Sequence, residues 1–457
     1  MTDGLPFLTL DQMAEAIRGK KVSPVEVARD ALARARRLQP RLNCFITLLD
    51  DQAIDEAQRA ERDICLGRYR GPLHGIPYTV KDVFATAGVR TTAGSRVLEN
   101  WVPEKDAAAV ASLRTAGAVL LGKTNTSEFA AGPTTANEHY GPARNPWSVD
   151  RVPGGSSGGS AGALAAGIGA FSLGTDTGGS IRMPAAACGV VGLKPSIGTV
   201  PRRGVVMLSW SLDTVGILAH SVGDGAKVLD SLGPMRGVET NAAPSPLRIG
   251  LPIELLDEPC DPEVRQLFMA AIGRACERGA HLERLSVPWA RHALPVNNLI
   301  SWFESWVVHE PMFMAHSKSY GEAIRRRLLM GAAVEPKDYR AALRIRHGFV
   351  RRAEDLFRRV DVLALPTLSV PPPPVGAEEV EVAGQRISTL DALGRFTRFG
   401  SFTGQPALSL PCGLTDAGLP VGLQLIGPIG GDRRLWNIGR EFEAAIGWDR
   451  RTPAGIS

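Results

Sequence analysis

The stretch that most limits how this chain can fold is residues 153–192, "PGGSSGGSAGALAAGIGAFSLGTDTGGSIRMPAAACGVVG", where glycine dominates. Flexible linkers share that composition, but they lack apolar runs such as "ALAAGIGAFSLG". The other reading is a buried segment whose glycines let backbone approach backbone, or a ligand, closely. Within it, "TDTGGS" presents consecutive N–H groups from Thr177, Gly178, Gly179 and Ser180. With no Cβ at two of those positions, the loop can fold into a concave nest of donors for an oxyanion.

The flanking sequence alternates strand and helix signals, which indicates an α/β layered fold. Ser23 reads as an N-cap before Pro24, with Glu26 completing a capping box, and opens a helix through "VSPVEVARDALARARRLQ". "CFITLL" has room for a short strand before the helical "DDQAIDEAQRAERDI". "GPLHGIPYTVKDV" reads as turn residues and then a strand ending at Lys81. "KDAAAVASLRTAG" reads as a helix stopped by Gly117, and "AVLLGKT" as a buried strand. From about 240 to 350 the chain turns helical and charged. After 360, "VDVLALPTLSVPPPP", "PALSLPCGL" and "LPVGLQLIG" read as strands returning to the core.

Composition excludes several classes. At 44% hydrophobic and 22% charged residues, the chain reads as an ordinary globular protein. The net charge of +5 is small for 457 residues, and the clusters Arg202-Arg203, Arg325 to Arg327 and Arg351-Arg352 are scattered among acids. A nucleic-acid partner would call for one concentrated basic face. Six cysteines without a CxxC pair or metal-ligand spacing read as apolar fillers in a reducing compartment. No signal peptide or membrane-spanning run is visible. The expectation is a cytoplasmic protein with no metal, no organic cofactor and no membrane partner.

Two motifs mislead. "GAVLLGKT", residues 117–124, satisfies the phosphate-loop pattern, but a helix precedes Gly117 and the intervening residues want burial in a strand, which reverses the order a phosphate loop needs. "GSSGG", residues 155–159, satisfies the GxSxG elbow with Ser157 as nucleophile. Turn-like sequence precedes it, and the downstream His220, His281, His292, His309, His316 and His347 lack an evident catalytic context. An esterase of that type remains a distant alternative.

If Ser180 is the nucleophile, a base must lie within reach. "GGSSGGSA" sits just upstream of "TDTGGS", and "TVKDV" carries Lys81 further upstream. With "GPARNPWSVDRVPGGSSGGSAG", "GTDTGGSIRMPAAACGVVGLKPS", "VDVLALPT" and "GLPVGLQLIG", these stretches resemble the amidase signature family. The resemblance implies one domain over 1–457, with a central mixed β-sheet covered by helices on both faces. It divides the chain into an N-terminal helical segment 1–65, a signature core 71–224, a variable helical cover 240–350 and a C-terminal return 360–457. It also implies that Ser180 attacks a carbonyl, that Ser156 bridges after a cis Gly155–Ser156 peptide, and that Lys81 is the base. Lys81 must then be neutral, so burial has to depress its pKa.

Supporting roles are expected for Ser157 as a neighbouring hydroxyl, Asp176 as an acceptor of backbone N–H bonds fixing the oxyanion loop, and Arg182 as the partner of an internal carboxylate. Ala130, Ala131 and Gly132 are expected at the substrate pocket. Leu299, Trp302, Phe303 and Trp306 recur at helical spacing, which fits a stripe packed on the core or, in the reading carried forward for Trp302, Phe303 and Trp306, one that in part lines the pocket. The expected activity is stand-alone hydrolysis of amide C–N bonds, extending to aryl amides and carbamates. The alternative is the glutaminase subunit of an aminoacyl-tRNA amidotransferase, whose glutamine-specific members resemble "DIFT...NLAGLPA". Here the matching stretch is "GRFTRFGSFTGQPA", with Gly394 in the aspartate's place.

Overall fold

The computed structural model describes residues 5–233, 245–448, 453 and 456. The expected N-terminal, cover and C-terminal segments therefore each contain residues outside the described ones, namely 1–4, 240–244 and, beyond 448, 449–452, 454–455 and 457. The helix Pro24–Leu42 begins as its sequence dictates: Ser23 Oγ accepts from Val25 N and the Glu26 side chain accepts from Ser23 N. Its apolar face, from Val25 to Leu42, is buried, and it ends on Asn43 with φ 47°.

Eleven strands form one mixed sheet. They are β1 Phe45–Leu48, β2 Pro77–Lys81, β3 Val119–Thr124, β4 Phe171–Asp176, β5 Val191–Lys194, β6 Thr214–Ala219, β7 Arg248–Pro252, β8 His281–Leu285, β9 Val362–Pro366, β10 Ala407–Leu414 and β11 Pro420–Ile426. Their order across the sheet is β1-β3-β2-β4-β6-β5-β10-β11-β9-β7-β8. Strands β2, β3, β4, β6, β9 and β11 are buried along their whole length, so helices cover both faces. The expected α/β architecture is the one observed. Two strands, β7 and β8, stand where only helices were expected, and they complete one edge of the sheet, β7 pairing parallel with β9 and β8 parallel with β7. The "HLERL" of β8 lacks an apolar alternation because it is an edge strand with most residues exposed, so no periodicity announces it.

Glycine in the 153–192 stretch serves close approach. A Cβ on Gly159, in the helix Gly158–Ala165, would meet Asn125 O at 2.5 Å and Cys44 O at 2.6 Å. The pseudo phosphate-loop lies in β3, and its Lys123 is consumed structurally: Nζ donates to Thr86 Oγ1 (3.1 Å) and Thr91 Oγ1 (2.8 Å) and pairs with Asp82 (3.5 Å). Among the described residues no helix is long and apolar enough to cross a membrane.

Strands β3, β2 and β4 run parallel. Their carboxyl ends therefore lie side by side, and Thr124, Lys81 and Asp176 terminate them together. In open α/β sheets this edge is where connecting loops gather into a crevice.

Candidate active site

Lys81, the last residue of β2, is fully buried. Its Nζ lies 2.7 Å from Ser156 Oγ and 2.9 Å from Thr175 Oγ1 on the neighbouring strand. Burial disfavours the ammonium and pulls the pKa down to about 7, although Asp213 and Asp176 oppose the shift from a distance. The adjacent Asp82 does not neutralise it, because Asp82 pairs with Lys123. Gly155–Ser156 is a cis peptide. Gly155 packs so tightly that a Cβ there would lie 2.7 Å from Pro133 C and Thr134 N.

The loop after β4 is clamped from below. Asp176 Oδ1 accepts from Gly179 N (2.8 Å), and Arg182 binds both carboxylate oxygens through Nε (3.0 Å) and Nη2 (2.9 Å). Burial would raise the Asp176 pKa, but the Arg182 guanidinium outweighs it and holds the carboxyl at about 2. Arg182 also donates to Thr397 O (2.8 Å), at the start of the helix Arg398–Thr403, and to Gln424 Oε1 (2.5 Å) on β11, tying the loop to the C-terminal part of the chain. Thr177 Oγ1 donates to Asp213 Oδ1 (2.5 Å), and Thr397 Oγ1 donates to Gly178 O (2.7 Å).

This geometry divides the four amides expected to face an oxyanion. Gly179 N–H is spent on Asp176, which corrects its place in the expected set, since one N–H cannot point both down to the carboxylate and out to a ligand. Among the described residues, the amides of Gly178 and Ser180 make no such bond. Gly178, Ser180 and Thr177 line a cavity of about 330 Å³, and Gly179 does not. Ser157 lies apart from that wall: its N donates to Ser180 O (3.2 Å) and its Oγ to Thr175 O (3.3 Å). No hydrogen bond joins Ser156 Oγ to Ser180 Oγ among the described residues, and such links commonly tighten only when substrate binds.

The rest of the cavity wall holds only part of the expected set. Ala130, Ala131 and Gly132 are part of it, with Ala130 at φ 61° and Gly132 at φ 148°. Trp302, on the helix Ala293–His316, is part of it too. Phe303 and Trp306 are not. Phe303 stacks on Tyr339 with ring centroids 4.3 Å apart, and Trp306 packs edge-on against Phe313 at 5.8 Å. The stripe spans a wide arc of the helix, and its far side turns into neighbouring helices. In their place stand Arg326, Arg327 and Arg398. Sequence reasoning passed over these residues, along with Thr175, Asp213 and Thr397. The only signal for Arg327 was the tract Arg325 to Arg327, whose charge pattern resembles a solvated face. Among the described residues, no group of three or more His, Cys, Asp or Glu side chains is placed to hold a metal ion.

Comparison with known proteins resolves the lineage. Residues 26–436 match the Amidase family. The chain belongs to the amidase signature family. It is 37% identical over 98% of its length, and 98% of the relative's, to a glutamyl-tRNA(Gln) amidotransferase subunit from Roseiflexus sp.. A solved amidase superposes with a TM-score of 0.90 at 37% identity, covering 96% of this chain and 99% of that one. A bacterial aryl acylamidase of the amidase signature family superposes with a TM-score of 0.88 at 26% identity, covering 98% and 99%. As an amidase signature protein the chain is a C–N hydrolase by family.

Proposed function

We propose that this amidase signature chain hydrolyses the amide bond of a small molecule through an acyl-enzyme on Ser180. The observation that carries the reading is the buried contact of Lys81 Nζ with Ser156 Oγ, next to a loop whose Gly178 and Ser180 line one cavity. Neutral Lys81 accepts the Ser156 proton while Ser156 takes the proton of Ser180, whose oxygen bonds to the carbonyl carbon. The amides of Gly178 and Ser180 receive the oxyanion. Collapse breaks the C–N bond, and the proton returns through Ser156 to the leaving nitrogen. Water then repeats the sequence on the ester.

Two substrate readings have support. Trp302 and the aryl acylamidase likeness favour an aryl amide or carbamate, though without Phe303 and Trp306 the aromatic wall is a single side chain. The amidotransferase relatives favour a glutaminase subunit with partner proteins. Gly394 and a cavity wall holding no aspartate or glutamate weigh against glutamine, whose ammonium would find no counterion there. The test is hydrolysis of anilides, carbamates and free glutamine by the wild type and Ser180→Ala, with intact-peptide mass spectrometry of the trapped adduct. An adduct on Ser180 and loss of all turnover in the variant are expected. An adduct on Ser157 overturns the assignment.

A further inference from the structure

The guanidinium groups of Arg182 and Arg346 are hydrogen-bonded through every nitrogen. Arg182 has Asp176 and three neutral acceptors around it, and Arg346 donates to Phe402 O, Ser211 O and Ser211 Oγ. Arg398, in the active-site cavity, differs. Among the described residues none of its nitrogens donates a hydrogen bond, its Nε is shut off from solvent without a partner, and no carboxylate lies within ion-pair distance. Arg327, in the same wall, has only the neutral hydroxyls of Ser301 and Ser305. The two cations repel one another, and burial together with that repulsion lowers Arg327 to about 10. Both guanidinium groups are partly exposed to the cavity, and although Asp176 and Asp391 attract Arg398 and Asp213 attracts Arg327 from a distance, neither has a carboxylate in contact, so the pair can receive an anion that enters the cavity.

The position of Arg398 narrows what that anion is. A Cβ on Gly178 would sit 1.5 Å from Arg398 Nη1, and a Cβ on Gly394 would sit 3.1 Å from its Nε. Glycine at both positions makes room for the guanidinium directly against the oxyanion loop. Thr397 Oγ1, one residue before, holds the segment to Gly178 O at 2.7 Å. An anion seated on Arg398 is therefore a near neighbour of a carbonyl oxygen seated on the Gly178 and Ser180 amides. From this we infer that the acyl part of the substrate carries a carboxylate, received by Arg398 and Arg327 a few bonds from the scissile carbonyl, so that the substrate is the monoamide of a short dicarboxylic acid. The inference rests on the Ser180 reading above and names its substrate class.

The experiment compares kcat/KM for oxamate, malonamate, succinamate and glutaramate with their uncharged alkyl amide counterparts. At least one acid amide should exceed its neutral counterpart by about tenfold or more, the range of a charge-assisted hydrogen bond. Arg398→Gln should lower kcat/KM for that acid amide at least tenfold more than for the neutral one, chiefly through KM. Arg398→Lys should keep part of the preference. Glutamine should be slower than glutaramate. Calorimetric binding of the matching dicarboxylate, lost in Arg398→Gln, reads the subsite even without turnover. Equal or better use of neutral amides by the wild type, or an equal loss on both classes in Arg398→Gln, overturns the inference. Turnover surviving in Ser180→Ala would instead overturn the Ser180 reading.

Discussion

The protonation state of Lys81 gives the sharpest prediction. At its ordinary pKa of 10.5 a lysine is about 0.1% neutral at pH 7.5, whereas burial that brings Lys81 to about 7 leaves roughly three-quarters of it neutral. The buried site thus supplies the base in several hundred times greater amount. Because the protonated form cannot accept the Ser156 proton, kcat/KM should rise with pH through a midpoint near 7, stand at about a tenth of its plateau at pH 6, and stay level above pH 8.5. Lys81→Ala should lose about 10² to 10⁴-fold in rate, and the rising limb with it. The same shift acts on stability in a defined direction. Between pH 7 and 10.5 the unfolded chain binds the proton that the folded chain releases, so stability rises with pH in that window, and at pH 7.5 the buried lysine costs folding on the order of 4 kcal/mol. Lys81→Met should therefore melt no lower than the wild type while being inactive. The assay is a pH series of initial rates with a substrate that does not titrate between pH 6 and 9, run beside thermal melts. Lys194, also drawn to about 7 by burial, is the control: its Nζ donates to Pro195 O (3.0 Å) and is not part of the cavity wall, so Lys194→Met should keep the limb. A flat profile in the wild type, or a limb that survives in Lys81→Ala, would refute the assignment of Lys81 as base.

Asp176→Asn should cost about 3–5 kcal/mol by stranding the buried Arg182, read as a lowered denaturation midpoint. Since Asp176 is held at about 2, its contribution is present above the ordinary carboxylate range and is lost only as pH falls toward 2, so the gap between wild type and variant should be the same at pH 5 and pH 7. Ser157→Ala should lower kcat less than tenfold, because its hydroxyl bonds to Thr175 O rather than facing the cavity; a loss matching that of Ser180→Ala would reverse their roles. Lys123→Ala should destabilise by a similar few kcal/mol by leaving Asp82 unpaired, and millimolar ATP should not shift the wild-type melting temperature. An ATP-dependent rise would restore the phosphate-loop reading.

The layered α/β fold was legible in the chain because its evidence is local. Ser23, Pro24 and Glu26 announce a helix start wherever they occur, and continuous apolar runs such as "AVLLG" must be buried strands. Lys81, Ser156 and Ser180 are singled out by the resemblance of their motifs to the amidase signature, and Lys81 lies in hydrogen-bond contact with Ser156 beside the loop that carries Ser180. What escaped the sequence depends on direction and distance across the fold. Edge strand β8 owes its pairing to β7 and not to any pattern of its own. Phe303 and Trp302 are consecutive residues, yet a turn of about 100° between neighbours on a helix sends one into a ring stack and the other into the cavity. Arg327 sits in a tract that reads as solvated surface, and Arg398 lies more than two hundred residues from the Gly178 it covers. Charge in a sequence has a sign but no address, so the cationic lining of the site was decided only when helices and loops distant in the chain closed over the strand ends.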